Sequence, residues 1–227
     1  MAITKGFKKK LRYQIGNLLI NAGFGKYILP LYKYHFSPQQ LFEICKYLGM
    51  TRAVEGTIVE VGCSTGNSTI FLNKYMDFEK IEKPYLCIDT FSGFTPVDKK
   101  VEKAQRNKSD NYNFSFIMNN KSWFEKTMGY NRIKRVKAVQ ADICKYNFDE
   151  NMVISFAFLD VDLYRPSKDA LQKVYQKLST NGIILVDDCK PSNKWDGALQ
   201  AYKEFTKENN LKEEYISEKL GLIIKRA

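Results

Sequence analysis

What this 227-residue sequence lacks narrows the chemistry open to it. It has a single histidine, His35, so neither a His-rich metal centre nor a His-based nucleophilic triad can be assembled, and zinc is disfavoured. His35, in the stretch KYHFS, reads as structural or at most a substrate contact. The five cysteines (Cys45, Cys63, Cys87, Cys144, Cys189) are odd in number, scattered and never spaced as C-x-x-C. That argues against a disulfide framework or a zinc knuckle and leaves reduced, mostly buried thiols. No run approaches the ~18 consecutive apolar residues of a membrane span. The N-terminus shows no small-residue cleavage site of a secretory signal, so a cytoplasmic location is expected. Neither an internal repeat nor a low-complexity tract is present. At 44% hydrophobic, a chain of this length suits one domain with a substantial core and appendages.

Acids are missing from one region altogether. Residues 1–42 carry Lys5, Lys8, Lys9, Lys10, Arg12, Lys26 and Lys33 and no acid, so the formal net charge of +11 is largely an N-terminal property. Phe7, Leu11, Ile15, Leu18 and Leu19 recur every three to four residues, which predicts a basic amphipathic helix within an N-terminal segment, residues 1–40. One use of its apolar stripe is packing on the main domain or on a second subunit. Another is contact of residues 5–20 with an anionic membrane surface, at the inner face, or with a lipid-linked, phosphorylated substrate. Nucleic acid is not expected as a partner, because no DNA- or RNA-reading motif accompanies the charge.

The remainder, residues 41–227, alternates strands and helices. The stretch SPQQLFEICKYLGM predicts a helix with Ser37 as N-cap and Pro38 at the first helical position. GTIVEVGCSTGNSTIFLNKYM then predicts a strand, a glycine turn and a helix starting near Gly66. Further strands are expected at 85–89, 136–142, 155–161 and 182–188 and in GLIIKR, with helices at 167–178 and in DGALQAYKEFTKENN. Such alternation argues for an α/β fold, a mostly parallel sheet with helices on both faces. Residues 90–113, polar and without clean periodicity, read as a long loop that serves as a lid or stays disordered.

Ligands of such sheets bind at the carboxyl ends of the strands, and the acids map onto that edge. Glu60, Asp89, Asp142, Asp160 and the pair Asp187-Asp188 each fall at or near a predicted strand end. The turn EVGCSTGNS lacks the second and third glycines of G-x-G-x-x-G, the pattern that lets backbone approach a dinucleotide pyrophosphate. Its E-x-G-x-x-x-G spacing suits S-adenosylmethionine, whose amino-acid end needs no phosphate cradle. Asp89, 23 residues after Gly66, can accept both hydroxyls of an adenosyl ribose. FAFLDVDLY ends a buried strand in Asp160 and Asp162, and Asp187-Asp188 end the next. Three carboxylates on adjacent strand ends are costly unless a cation neutralises them, and an all-oxygen set suits Mg²⁺. Without a metal, Asp162 would cap the following helix and Asp187-Asp188 would open a loop.

GTIVEVGCSTGNST, CIDTFSGF, FLDVDLYRPSKDALQKVYQKLSTNGIILVDDC and WDGALQAYKEF resemble, in order and spacing, the macrocin O-methyltransferase family of S-adenosylmethionine-dependent sugar methyltransferases. D-x-D-L-Y followed by V-D-D is the most specific part, and the likeness runs from about Gly56 to the C-terminus. The resemblance implies a Rossmann-like class I methyltransferase fold, a bound Mg²⁺, methylation of a sugar hydroxyl on a small-molecule or glycan substrate, and a homodimer. Carried onto this chain, it implies cofactor contacts from Glu60, Gly62, Cys63, Ser64, Gly66, Ser68, Asp89, Thr90, Phe91, Ser92 and Asp160. It makes Asp160, Asp187 and Asp188 metal ligands, with Asp160 also the base that accepts the hydroxyl proton. Asp142, an acid at its strand end, is expected at the adenine. The chain departs from the family where Cys189 replaces an aromatic residue after Asp-Asp and where Ala141-Asp142 replaces a glycine-aromatic pair. The catalytic lysine of the more distant catechol O-methyltransferases would fall at Leu163, so that mechanism does not transfer. Two other classes compete: a nicotinamide-dependent nucleotide-sugar oxidoreductase or epimerase, for which Tyr164 and Lys168 have the right spacing but enclose Pro166, and a non-enzymatic, membrane-associated binding protein.

Overall fold

The computed structural model describes residues 2–226 apart from 30, 33, 109–115, 117–118 and 192–194. The chain falls into two compact units, residues 1–35 and 36–227. In the first, α1 (Ala2–Leu19) runs into a π-helical turn (Ile20–Phe24) and a short α2 (Gly25–Ile28). The helical path breaks at Gly23, whose φ of +87° is open to glycine and strained for other residues.

The second unit opens with α3 (Pro38–Met50), capped as the sequence predicts. Ser37 Oγ accepts from the Gln40 N–H at 3.2 Å and Gln40 Oε1 accepts from the Ser37 N–H at 2.8 Å, a reciprocal box that satisfies two otherwise orphaned donors. There follow β1 (Thr57–Val61), α4 (Asn67–Glu79), β2 (Tyr85–Asp89), α5 (Pro96–Arg106), α6 (Lys121–Tyr130) and β3 (Val136–Gln140). The chain ends with β4 (Ile154–Leu159), α7 (Tyr164–Lys177), β5 (Leu178–Val186), α8 (Gly197–Glu208), β6 (Glu214–Ile216) and β7 (Leu220–Ile224). The seven strands form one sheet in the order β3-β2-β1-β4-β5-β7-β6. Strands β3 to β5 pair in parallel, and β7 runs antiparallel to both β5 and β6.

All six residues of β4 are buried, as a strand covered on both faces requires. Alternate strand residues, among them Val59, Ala157, Leu159 and Ile184, cluster with Leu171 and Val174 of α7 and Phe205 of α8. On the intervening positions Phe158 meets Phe36 edge to face, with centroids 5.6 Å apart. Burial of each such side chain contributes about 1.5–3 kcal/mol, which fixes the strand ends that carry the acids.

Residues 90–108 are not the loop that composition suggests, because α5 lies within them. Thr95 Oγ1 accepts from the Asp98 N–H, Pro96 occupies the first turn, and Asn107 closes the helix in the left-handed region. Its hydrophobic face is replaced by buried ion pairs. Asp98 accepts from Arg165 at 2.6 Å, and Arg106 bridges Glu102 and Asp196. Glu102, 1% exposed, also accepts from the Tyr164 N–H at 2.8 Å and so caps α7 from outside. The N-cap position of α7 is Leu163, so Asp162 is not its cap. Residues 109–113 of the expected loop lie outside the described residues.

Candidate active site

Parallel pairing of β1 with β2 and β4 brings three strand ends side by side, and a cleft opens where their loops part. After Val61 the chain turns sharply at Gly62, where φ is +85° and a Cβ would stand 1.8 Å from the carbonyl oxygen of Asp160. Only glycine fits between the two strand ends. Gly66, at φ +92°, is the N-cap of α4, and a Cβ there would strike the Met128 side chain at 2.6 Å.

Asp89 organises the loops on either side of the cleft. Its Oδ2 accepts from the Ser64 N–H at 2.8 Å and its Oδ1 from the Phe91 N–H at 2.7 Å, holding both residues at positive φ. Burial lifts its pKa above the ordinary carboxylate value, against the pull of those backbone donors. The carboxylate lines the cleft, as do Gly62, Ser64, Thr90, Asp142 and Asp160. Asp142 sits beyond β3, with Oδ1 accepting from the Cys144 N–H at 2.9 Å.

Other predicted contacts are placed differently. Glu60 is fully buried beneath the turn and does not line the cleft. Its two oxygens accept from Ser68 Oγ at 2.5 Å, Thr69 Oγ1 at 2.7 Å and Tyr85 Oη at 2.7 Å, so Glu60 and Ser68 face each other and lock α4 to β1 and β2. Strand alternation explains this, since Val61 takes the cleft side and its neighbour Glu60 the other. Burial raises the Glu60 pKa despite these donors. Cys63, Gly66, Phe91 and Ser92 shape the surrounding turns without lining the cleft.

At the next edge, Asp160 follows β4 and Asp187 follows β5, each tied by its N–H to the neighbouring strand end at 2.8 Å. Burial, then the charges of Asp187, Asp162 and Asp188, hold Asp160 well above the usual carboxylate range. Asp162, at φ +59°, is raised in the same way by burial and Asp188, and it joins Asp160 on the cleft wall. The four acids therefore feel one another, yet among the described residues no three metal-ligating side chains converge on one point. The cation beside them is one the sequence reading missed. Lys219 Nζ donates to Asp187 Oδ2 at 2.6 Å and to Asp188 Oδ1 at 2.8 Å, and lies 5.4 Å from the centre of the Phe36 ring. Asp187, 3% exposed, is pushed up to about 6 by burial, with Lys219 pulling the other way. Its Oδ1 is buried without a partner, and a hard carboxylate oxygen left over in this acid group fits a divalent cation.

Lys219 precedes β7, and the antiparallel return of β7 beside β5 sets the residue before one strand next to the residues after the other. Cys189, where the family pattern has an aromatic residue, is 4% exposed, and its N–H donates to the Lys219 carbonyl at 2.7 Å. Over the cleft, Phe94 packs edge to face with Phe116 (5.4 Å) and against Trp195 (5.8 Å). Tyr164 and Lys168 both bond Glu204, outside the cleft lining.

This combination of a Rossmann-like sheet, an acid-anchored turn and an acid cluster at adjacent strand ends defines a class I methyltransferase. The family model for macrocin O-methyltransferase (TylF) matches residues 39–218. The chain belongs to that family and is an S-adenosylmethionine-dependent O-methyltransferase. Similar solved structures share the fold at low identity. The O-methyltransferase NovP is 17% identical, with a TM-score of 0.67 over 83% of this chain and 80% of its own. CalS11, a calicheamicin methyltransferase, is 18% identical, with a TM-score of 0.68 over 81% of this chain and 77% of its own. Its apo form is described as a TDP-rhamnose 3′-O-methyltransferase. A caffeoyl-CoA O-methyltransferase homologue from Staphylococcus aureus is 12% identical, with a TM-score of 0.58 over 98% of this chain and 99% of its own. No curated protein sequence matches the chain. Family membership sets aside the oxidoreductase and non-enzymatic readings.

Proposed function

We propose that this enzyme methylates a hydroxyl of a sugar, carried on a nucleotide or on a glycosylated small molecule, with Asp160 as the base. The observation that carries the reading is the position of Asp160, which lines the cleft and also stands in the group with Asp162, Asp187 and Asp188. In this reading it faces both the cofactor and the acceptor. The sugar assignment draws on the family and on CalS11, whose TDP-rhamnose substrate is a nucleotide sugar. The Phe94, Phe116 and Trp195 rings suit the C–H face of a sugar ring.

S-adenosylmethionine supplies a methyl group activated on a sulfonium. In this reading Asp89 accepts the ribose hydroxyls and Asp142 meets the adenine, both carboxylates lining the cleft, while Gly62 lets the ends of β1 and β4 approach closely beneath it. A sugar hydroxyl is a weak nucleophile, and Asp160 would take its proton as the oxygen bonds to the methyl carbon, the S–CH₃ bond breaks and S-adenosylhomocysteine leaves. The partnerless Asp187 Oδ1 is the structural argument for a divalent cation among Asp160, Asp187 and Asp188. Their side chains would have to close around it, since they do not converge on one point. Mg²⁺ there would lower the pKa of a coordinated hydroxyl. The same family resemblance underlies the proposal of a homodimer.

Asp160→Asn tests the assignment. The variant should bind S-adenosylhomocysteine as the wild type does and lose about 10²–10⁴-fold in methyl transfer to nucleotide-linked sugars. Wild-type turnover in that variant would remove Asp160 from the chemistry.

A further inference from the structure

The N-terminal unit has a helix, α1, of definite character. At roughly 100° per residue, Phe7, Leu11, Ile15 and Leu18 fall within an arc of about 80°. All four are exposed, at 68%, 45%, 49% and 70%. Lys9 lies on the far side of the helix, and Lys8, Lys10 and Arg12 flank the apolar stripe on its two sides. Among the described residues none of these four cations forms an ion pair, and the first acid of the chain is Glu43. No described helix is long and apolar enough to cross a membrane.

We propose that α1 is an interfacial helix that docks on an anionic lipid bilayer, its apolar stripe in the headgroup boundary and its lysines and Arg12 on the lipid phosphates. The pattern of an apolar arc with cationic flanks, on a helix of low overall hydrophobicity, is what such a surface selects. Charge decides between this occupant and a second copy of the chain. Pairing two α1 helices through the stripe would bring two basic segments together, with no acid in either to answer them. An anionic surface answers all of them at once. Gly6 and Gly16 lower the intrinsic stability of the helix, so lipid contact would also consolidate it. The enzyme would then work against a membrane face.

The test is co-sedimentation of the full-length protein with vesicles of phosphatidylcholine alone or mixed with phosphatidylglycerol, in low and high salt. Light scattering is run in parallel. The wild type should pellet with the anionic vesicles and not the neutral ones, and added salt should release it. A Lys8→Glu, Lys9→Glu, Lys10→Glu triple variant and a Leu11→Glu, Leu18→Glu double variant should each weaken binding at least about tenfold, with S-adenosylhomocysteine affinity unchanged. The proposal is overturned if the wild type stays in the supernatant or binds neutral vesicles equally. It is also overturned if the leucine variant turns a dimer into a monomer while vesicle binding stays at the wild-type level.

Discussion

Replacing Lys219 by methionine keeps most of the side-chain stem and removes a cation that Asp187 and Asp188 share, at 2.6 and 2.8 Å. The acids are 3% and 13% exposed on their side chains and the lysine 16%, so water replaces little of what is lost. Removing one partner of a buried pair costs about 3–5 kcal/mol, and the partial access of Lys219 and Asp188 places this case nearer 2–4 kcal/mol. Urea unfolding in EDTA should show it as a midpoint lowered by about 1 M or more. The penalty should depend on pH. Asp187 has a native pKa of about 6, above its unfolded value, so its native form holds protons more tightly and its contribution to stability falls as pH rises from about 4 through 6. Lys219 limits that fall. Without it the native pKa climbs further, and the gap between wild type and variant should be wider at pH 8 than at pH 5.5. Millimolar Mg²⁺ should recover part of the lost stability in the variant, because a ligand that binds only the folded form stabilises it by mass action. A variant as stable as the wild type at pH 8 would refute the reasoning.

Gly62→Ala would drive a methyl group to 1.8 Å from the Asp160 carbonyl oxygen at φ +85°, with backbone on both sides unable to yield. It should cost at least about 3 kcal/mol, roughly 6–12 °C in melting temperature, and abolish cofactor binding; a wild-type melt would contradict the close approach of β1 and β4. Asp196 is held below its ordinary pKa because Lys108 and Arg106 outweigh the opposing effect of burial. Its contribution is therefore present above the unfolded value of about 3.9 and is lost as pH falls through the lower native value. Asp196→Asn should cost about 1 kcal/mol in chemical denaturation at pH 7 and progressively less as pH falls below about 3.9; a loss that does not shrink in acid would exclude the ion pairs as its cause.

Most of the parallel sheet was legible because its signals are local. The run TIVEV, the turn after it and the buried ISFAFL announce themselves by composition, and β2 falls at 85–89 as expected. What was hidden depends on partners distant in sequence. α5 looks like loop because its buried side chains include Asp98 and Glu102, acids that enter the interior only by pairing with Arg165 and Arg106. α6 begins in the polar stretch NNKSW, where Asn120 caps it by accepting from the Trp123 N–H, a weak cue without a following apolar stripe. Glu60, which the family resemblance puts at the cofactor, is turned into the core by the alternation along β1. Lys219 could be found only from the antiparallel return of β7, a topological fact that no local pattern records.

The most direct measurement is a calorimetric titration of the purified enzyme with S-adenosylhomocysteine, beside an Asp89→Ala variant. Micromolar binding by the wild type, weakened at least about tenfold when the Asp89 carboxylate is lost, is the predicted result. A folded wild-type protein that does not bind, or a variant that binds equally well, would contradict the placement of the cofactor in this cleft.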